Sequence, residues 1–200
     1  MKSKIIIGLF FVLLFNACVS PRPAMKEFTL DTNISVTPNA VSSCLEKNIQ
    51  LSKPYSDESL LRLDMRYREG QFQEFSYAQS QWAKSPINII YENELGVVRD
   101  LKIFKNVQIA KSKTRNDLVL EANVEDFMQY FTENDTNSFA RVSITFTLIE
   151  ASSHRVLASK NIKVKVNAVT LNAQGGVVSL NAALSEVLSQ MAVWLQGTCK

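Results

Sequence analysis

The chain has 200 residues, and its 22 Lys and Arg against 19 Asp and Glu give a formal net charge of +3. This length is enough for one domain with a substantial core and too short for two comfortable ones. The net charge is close to zero, and no cluster of Lys and Arg is interleaved with aromatic residues. Both features argue against the basic groove of a nucleic-acid-binding protein, so we expect no nucleic-acid partner.

The first 18 residues have the three-part layout of a secretory signal. Lys2 and Lys4 make the start positive, and residues 5–15 form an apolar run about half as long as the ~20 residues that span a bilayer. Cys18 stands at the cleavage point. The segment resembles a bacterial lipoprotein signal, with residues 1–17 removed and Cys18 lipidated as the mature N-terminus. An ordinary secretory signal followed by a free thiol, or an uncleaved membrane anchor, is the alternative.

Residues 18–25 contain two prolines and are interpreted as a short lipidated tether. The two or three acyl chains of a lipoprotein, palmitate among them, anchor a protein stably, whereas a single chain binds reversibly. Cys18 is followed by Val19 and not by the Asp that retains lipoproteins in the inner membrane of enteric bacteria. We therefore expect a lipid-anchored protein of the bacterial cell envelope, held in the outer membrane and facing the periplasm.

Three cysteines must be placed: Cys18, Cys44 and Cys199. If Cys18 is lipidated, Cys44 and Cys199 are the only pair that can form an intramolecular disulfide in an oxidising compartment. Two separate thiols are the alternative. His154 is the only histidine, and the chain has no Cys-x-x-Cys sequence, so neither a metal site nor a cofactor is predicted.

Short strands dominate the first half of the predicted domain, which extends over residues 26–200. Alternating or apolar runs predict four strands, and Gly70 turns the chain between the last two, which then form a hairpin. The four runs are residues 26–30, 44–51, 61–67 and 72–77. Ser85 then supplies an N-cap and Pro86 the first helical residue, and an apolar stripe continues this helix to Asp100.

Strand signals return after this helix. Residues 104–110 form one short predicted strand, and three alternating segments then predict an antiparallel meander at residues 118–127, 142–148 and 156–166. Residues 172–176 are interpreted as a flexible link, and an apolar stripe over residues 177–196 predicts a terminal helix. The predicted fold class is therefore α+β. A single domain has a mostly antiparallel sheet, a helix after the first strands and a long C-terminal amphipathic helix packed on the sheet.

The sequence contains no convincing catalytic constellation. His154 lies in a predicted polar turn, where a solvated histidine is the expected case. The carboxylate pairs Glu92/Glu94 and Glu125/Asp126 have no obvious apolar pocket to separate their pKa values, so solvated positions are preferred for them. We predict that the chain is not an enzyme, and a periplasmic hydrolase is the least favoured alternative.

Phe127, Tyr130 and Phe131 are the best candidates for a partner-binding patch. They lie where a predicted strand runs into a turn, and they break the alternation of that strand, as an exposed patch would. Burial of the same aromatic residues in the core is the competing interpretation.

One stretch carries a resemblance to a known family. Residues 73–77, Gln-Glu-Phe-Ser-Tyr, lead into residues 81–86, Gln-Trp-Ala-Lys-Ser-Pro, and the stretch stands in a chain that begins with a lipidated Cys and ends in an amphipathic helix. This order resembles the ABC-type transport auxiliary lipoproteins, the group that includes paraquat-inducible protein C. The polar segment at residues 31–43 and the pair Cys44 and Cys199 depart from the family pattern.

The resemblance implies a periplasmic domain that accompanies an ABC permease, its ATPase and an MCE (mammalian cell entry) protein. Such systems move lipids between the inner and outer membranes, and ATP hydrolysis belongs to another subunit. The chain would be a docking or structural component, anchored at Cys18 and able to form a homo-oligomer. The chief alternative is an outer-membrane assembly lipoprotein of an unrelated envelope pathway.

Overall fold

The structure, a computed structural model, describes residues 24–32, 34, 42–133 and 136–199. The predicted signal at residues 1–17 and the lipidation site Cys18 lie outside them. Within the described residues, nine strands form one mixed sheet with two α-helices and a short 3-10 helix, Glu58–Leu61, between β3 and β4, which confirms the α+β fold class. In chain order the elements are β1 Lys26–Phe28, β2 Asn48–Leu51, β3 Tyr55–Ser56, β4 Asp64–Glu69, β5 Gln73–Trp82, α1 Pro86–Asp100, β6 Asn106–Gln108, β7 Leu118–Phe131, β8 Ser138–Glu150, β9 Arg155–Asn167 and α2 Ala173–Thr198.

The sheet is built around β7. One edge of β7 pairs along its length with β8 in the antiparallel sense, and β8 pairs in the same sense with β9, so the predicted meander is confirmed. The other edge of β7 meets three short parallel strands one after another, β2 first, then β3, then β4. β4 and β5 form the predicted hairpin, and Gly70 turns the chain with a φ of +56°, a conformation that glycine adopts without strain.

Both helices lie on the same side of the sheet, which we call the helix face. α2 packs on β8 and β9, and α1 contacts α2. Because side chains alternate along a strand, β8 buries every second residue beneath α2, namely Ala140, Val142, Ile144, Phe146 and Leu148. α2 is long and apolar enough to cross a membrane, but more than half of its apolar stretch is buried inside the fold. It therefore serves as the core helix of the domain.

The start of α2 differs from the sequence prediction, because residues 172–176 are not a flexible link. Asn172 is the N-cap, and its side-chain oxygen accepts a hydrogen bond from the Gly175 amide at 2.9 Å. A Cβ atom on Gly175 would stand 2.1 Å from the backbone oxygen of Thr170. The glycine is needed here for close packing of the first helical turn against the loop before it.

The structure contains the Cys44–Cys199 disulfide, with the two Cα atoms 5.4 Å apart. Both cysteines are buried, and the Ser43 amide donates a hydrogen bond to the Cys199 carbonyl at 2.8 Å. The bridge therefore joins the end of α2 to the segment just before β2 and closes one end of the domain, which we call the disulfide end.

Candidate functional site

The second side of the sheet, which we call the open face, is opposite the helices. Alternation along β8 places Phe139 and Arg141 on this face, because Ala140 and Val142 lie beneath α2. The other strands contribute Arg66, Arg68, Glu74, Asp126, Tyr130, Asn161, Lys163 and Lys165 in matching register. The β9 members of this set are exposed, and the face is polar and charged where the helix face is apolar.

A β-bulge in β7 sets the chemistry of the open face. The register with β8 shifts between Val124 and Asp126, so that two successive carboxylates, Glu125 and Asp126, project on the same side. Glu125 accepts hydrogen bonds from the Thr145 hydroxyl at 2.6 Å and the Ser143 hydroxyl at 3.0 Å. The Thr145 bond is the main cause that lowers the pKa of Glu125, while burial acts against it.

Asp126 forms a closed cluster with Tyr130 and Arg141. The Tyr130 hydroxyl donates to both carboxylate oxygens of Asp126, at 2.8 and 2.9 Å. Arg141 donates from Nε to Asp126 and from Nη2 to the Tyr130 hydroxyl, and its guanidinium lies 4.2 Å from the centroid of the Tyr130 ring. Burial, followed by the bond to Asp126, raises the pKa of Tyr130 to about 12, so its hydroxyl stays protonated as a donor.

The cluster continues as a row of side chains across four strands. The guanidinium of Arg68 lies 5.5 Å from the Tyr130 ring, Tyr130 stacks on Phe139 with centroids 5.2 Å apart, and Nζ of Lys165 lies 3.7 Å from the Phe139 ring. Arg68 also binds Glu74, and this hydrogen bond is the main cause that raises the pKa of the guanidinium. The row thus holds two stacked aromatic rings between two cations.

A shallow cavity of about 340 Å³ opens beside this row, lined by Arg66, Arg68, Asp126 and Arg141 among others. Each of the three arginines binds a carboxylate, but Arg66 and Arg68 share Glu74, so two negative charges meet three positive ones and the group keeps a net positive charge. The arrangement can offer oriented hydrogen-bond donors and acceptors to a partner. Among the described residues, no group of three or more His, Cys, Asp and Glu side chains could hold a metal ion.

The patch predicted at Phe127, Tyr130 and Phe131 is wrong as an exposed surface. Phe127 and Tyr130 are only 6% and 7% exposed, and Phe131 is half-buried. β7 continues to Phe131, and the bulge resets its register, so the three side chains are divided between the two faces. Phe127 contacts Trp82 on the helix face with ring centroids 5.9 Å apart, and only Tyr130 belongs to the open face.

The other candidate residues are also separated. His154 lies in the predicted turn between β8 and β9, with a φ of 55°. Glu92 is exposed and binds Lys84 at 2.8 Å. Glu94 contradicts the expectation of a solvated carboxylate, because it is completely buried and no described side chain or backbone group donates to either carboxylate oxygen. Burial raises the pKa of Glu94 to about 8.

No protein-family model matches the chain, and no curated protein matches it either. Its fold is similar to that of protein XCC0632 from Xanthomonas campestris, of the family DUF330. The sequences are 17% identical, the TM-score is 0.73, and the match covers 84% of this chain and 94% of that chain.

A second solved structure, an uncharacterized protein, matches with 10% identity and a TM-score of 0.65 over 86% of this chain and 99% of the other. Lipoprotein GNA1162 from Neisseria meningitidis matches more weakly, with 13% identity and a TM-score of 0.41 over 74% of this chain and 99% of that chain, too low to support an argument. At these identities the comparisons show a shared fold and leave function to be argued from the residues.

Proposed function

We propose that the chain is a membrane-anchored auxiliary lipoprotein of an ABC/MCE-type lipid transport system. In this proposal the acyl chains on Cys18 hold the protein in the outer membrane, and the folded domain docks an MCE protein with its permease and ATPase in the periplasm. The observation that carries the docking role is the open face, a polar surface on which neither α1 nor α2 packs.

The stretch behind the family resemblance has a structural role. Residues 73–77 and 81–82 belong to β5, where Trp82 is buried against Phe127, and Ser85 and Pro86 begin α1. These residues build the hairpin and the crossing from strand to helix. They support the proposal that the chain shares its fold with the ABC-type transport auxiliary lipoproteins. Because their role is structural, the docking surface must be sought among other residues.

The open face has the properties of a specific docking surface. Its arginines and carboxylates are held by ion pairs and hydrogen bonds to neighbouring side chains, so donors and acceptors are oriented before a partner arrives. Lys163 and Lys165 extend this surface with two exposed cations at the edge strand β9. Polar surfaces of this kind give specificity more than raw affinity, which suits a component that must recognise one transport complex.

The proposal is tested by affinity purification of a C-terminally tagged full chain from gently cross-linked native membranes, with partners identified by mass spectrometry. We expect an MCE protein to be enriched together with a permease and an ATPase. Recovery of a β-barrel or envelope-assembly protein without any transporter subunit would overturn the proposal and favour an assembly lipoprotein of another pathway.

Paired variants locate the docking surface in the same assay. The double change Lys163→Glu and Lys165→Glu reverses two charges on the open face, and Lys111→Glu with Lys113→Glu makes the same change in charge in an exposed loop after β6. We expect the first pair to reduce recovery of the MCE protein and the second pair to leave it unchanged. Equal recovery with both pairs would exclude the open face as the docking surface.

A further inference from the structure

Several turns lie together at the end of the sheet opposite the disulfide. β4 and β7 finish side by side, with Glu69 opposite Phe131, and β5 begins at Gln73 opposite Glu69. β8 begins at the same level, and β9 ends there, because Phe139 is opposite Asn167. We call this the Phe72 end, after the residue in the turn between β4 and β5. α2 starts near this end and finishes at the disulfide end.

The N-terminal segment enters the domain from the direction of the Phe72 end. β1 is parallel to β5, with Lys26 opposite Ser80, so the residues that precede Lys26 approach from the side where β5 begins. Ser80 is seven residues beyond Gln73, the first residue of β5, which corresponds to about 23 Å along a strand. The tether must therefore cover this distance to reach the Phe72 end.

The reach of the tether is nearly equal to that distance. Cys18 precedes Lys26 by eight residues, and eight residues can span at most about 26–29 Å, whatever their conformation. If Cys18 carries its acyl chains in a membrane, the lipid surface cannot lie more than a few ångströms beyond the Phe72 end. A domain attached in this way stands at most a few ångströms from the membrane, close enough for side chains at the Phe72 end to reach the lipid.

The Phe72 end exposes large apolar side chains. Phe72 and Val169 are each 90% exposed, and Leu171 is exposed beside Val169 in the loop between β9 and α2. The backbone places this loop at the start of β8, because the Ala168 amide donates to the Ser138 carbonyl at 2.9 Å. Two strand-end loops therefore present apolar tips at the end of the sheet from which the chain enters β1. Apolar side chains at such tips can enter the boundary between lipid headgroups and acyl chains.

We propose that the Phe72 end is a membrane-contact surface, in which Phe72 and Val169 insert into the lipid monolayer that holds Cys18. The inference rests on the lipid anchor in the proposed function. The strands then stand steeply on the membrane, the open face looks sideways along the membrane surface, and the disulfide end points away from it. Glu69 and Glu133 flank Phe72, so the insertion is shallow and favours headgroups without a net negative charge.

The test uses the full chain, processed at Cys18 and reconstituted into vesicles of phosphatidylethanolamine and phosphatidylcholine. Phe72→Cys and Val169→Cys are each labelled with a nitroxide, while the disulfide keeps Cys44 and Cys199 unreactive. Val193→Cys is the control, because Val193 is 69% exposed and lies on α2 near the disulfide end. Electron paramagnetic resonance then compares the collisions of each label with oxygen and with a water-soluble nickel chelate.

We expect the labels at positions 72 and 169 to lose collisions with nickel and to gain collisions with oxygen, while the control label remains accessible to nickel. If all three labels are equally accessible to nickel in protein that floats with the vesicles, the proposal of membrane contact at the Phe72 end is wrong, while the lipid anchor at Cys18 is retained. If the processed protein does not float with the vesicles, the anchor is wrong, and both the membrane-contact surface and the proposed function fall with it.

Discussion

A Cβ atom on Gly176 would stand 1.9 Å from the side-chain oxygen of Gln129. That oxygen accepts a hydrogen bond from the Tyr77 hydroxyl at 2.9 Å, and the amide nitrogen of Gln129 donates to the Ser138 hydroxyl at 3.0 Å. Gln129 is buried between the sheet and the first turn of α2. The glycine therefore lets the helix approach a polar group in the core whose hydrogen bonds are satisfied.

Gly176→Ala should lower the free energy of unfolding by about 2–4 kcal/mol, because the added methyl group overpacks the site and displaces Gln129 from its hydrogen bonds. Urea denaturation of the purified protein measures this change. Gly96→Ala in α1 is the matched control, since no atom beyond its chain neighbours and the backbone of its own helix lies within 4 Å of its added Cβ. We expect this control to stabilise the protein by up to about 1 kcal/mol. Similar effects of the two variants would contradict the close contact.

The elements could be predicted where the pattern is local. The alternation in β7, β8 and β9 predicts a meander, and Ser85 with Pro86 predicts the start of α1, because each signal depends on residues a few positions apart. The pairing of β2, β3 and β4 with one edge of β7 could not be predicted in this way. Parallel partners are chosen by packing between distant segments, which single-strand periodicity does not encode.

The candidate site was predicted less well than the fold. The adjacent acids Glu125 and Asp126 interrupt an alternating strand, and this interruption is the signal of the bulge that could have been used. An interpretation of the sequence that leaves out the bulge assigns Phe127 and Tyr130 to the wrong faces of the sheet. The end of the strand is then mistaken for an exposed patch. Gly175 and Gly176 show the same ambiguity, since a glycine pair marks a flexible link or a close approach, and only the packed partner distinguishes them.

Glu94 should make the stability of the protein depend on pH. Its pKa is raised to about 8 in the folded state by burial, whereas an unfolded glutamic acid titrates near pH 4.3. The folded state alone binds the proton between these values, so the protein loses stability as the pH rises from about 5 to about 8. We expect a loss of about 3 kcal/mol over this interval.

Glu94→Gln should remove most of this dependence, because a buried amide has a similar shape and does not ionise. Urea denaturation at about pH 5 and about pH 8 measures it, with similar stability of wild type and variant expected at the lower pH. Glu92→Gln is the control, since Glu92 is exposed and pairs with Lys84. If wild type and Glu94→Gln show the same pH dependence, Glu94 is not buried as a neutral acid.

The disulfide should contribute a large share of the stability. Cys44 and Cys199 are 155 residues apart, and closing a loop of that length stabilises a protein by about 5 kcal/mol in the chain-entropy model. Cys44→Ser combined with Cys199→Ser should therefore lower the free energy of unfolding by roughly this amount, measured by urea denaturation under oxidising conditions. A reducing agent should destabilise the wild type and leave the double variant unchanged. A response of the double variant to the reducing agent would contradict this assignment.

The cluster of Asp126, Tyr130 and Arg141 on the open face should stabilise the sheet, in addition to orienting donors and acceptors for a partner. Arg141→Met keeps most of the aliphatic volume but removes the ion pair with Asp126 and the guanidinium from the Tyr130 ring. Asp126 is then left largely buried with one hydrogen-bonding partner fewer. Because hydrogen bonds to charged groups contribute more than neutral ones, we expect a loss of about 2 kcal/mol in the free energy of unfolding.

Arg62→Met is the matched control for this prediction, because it removes an arginine whose ion pair with Asp64 is largely exposed. Exposed pairs are screened by solvent, so the control should change the free energy of unfolding by no more than about 0.5 kcal/mol. Raising the salt concentration should leave the difference in the free energy of unfolding between the two variants nearly unchanged. The ion pair of Asp126 is largely shielded from solvent, and the exposed ion pair of Asp64 contributes little at any salt concentration. An equal loss in both variants would mean that the cluster around Asp126 is no stronger than an ordinary surface pair.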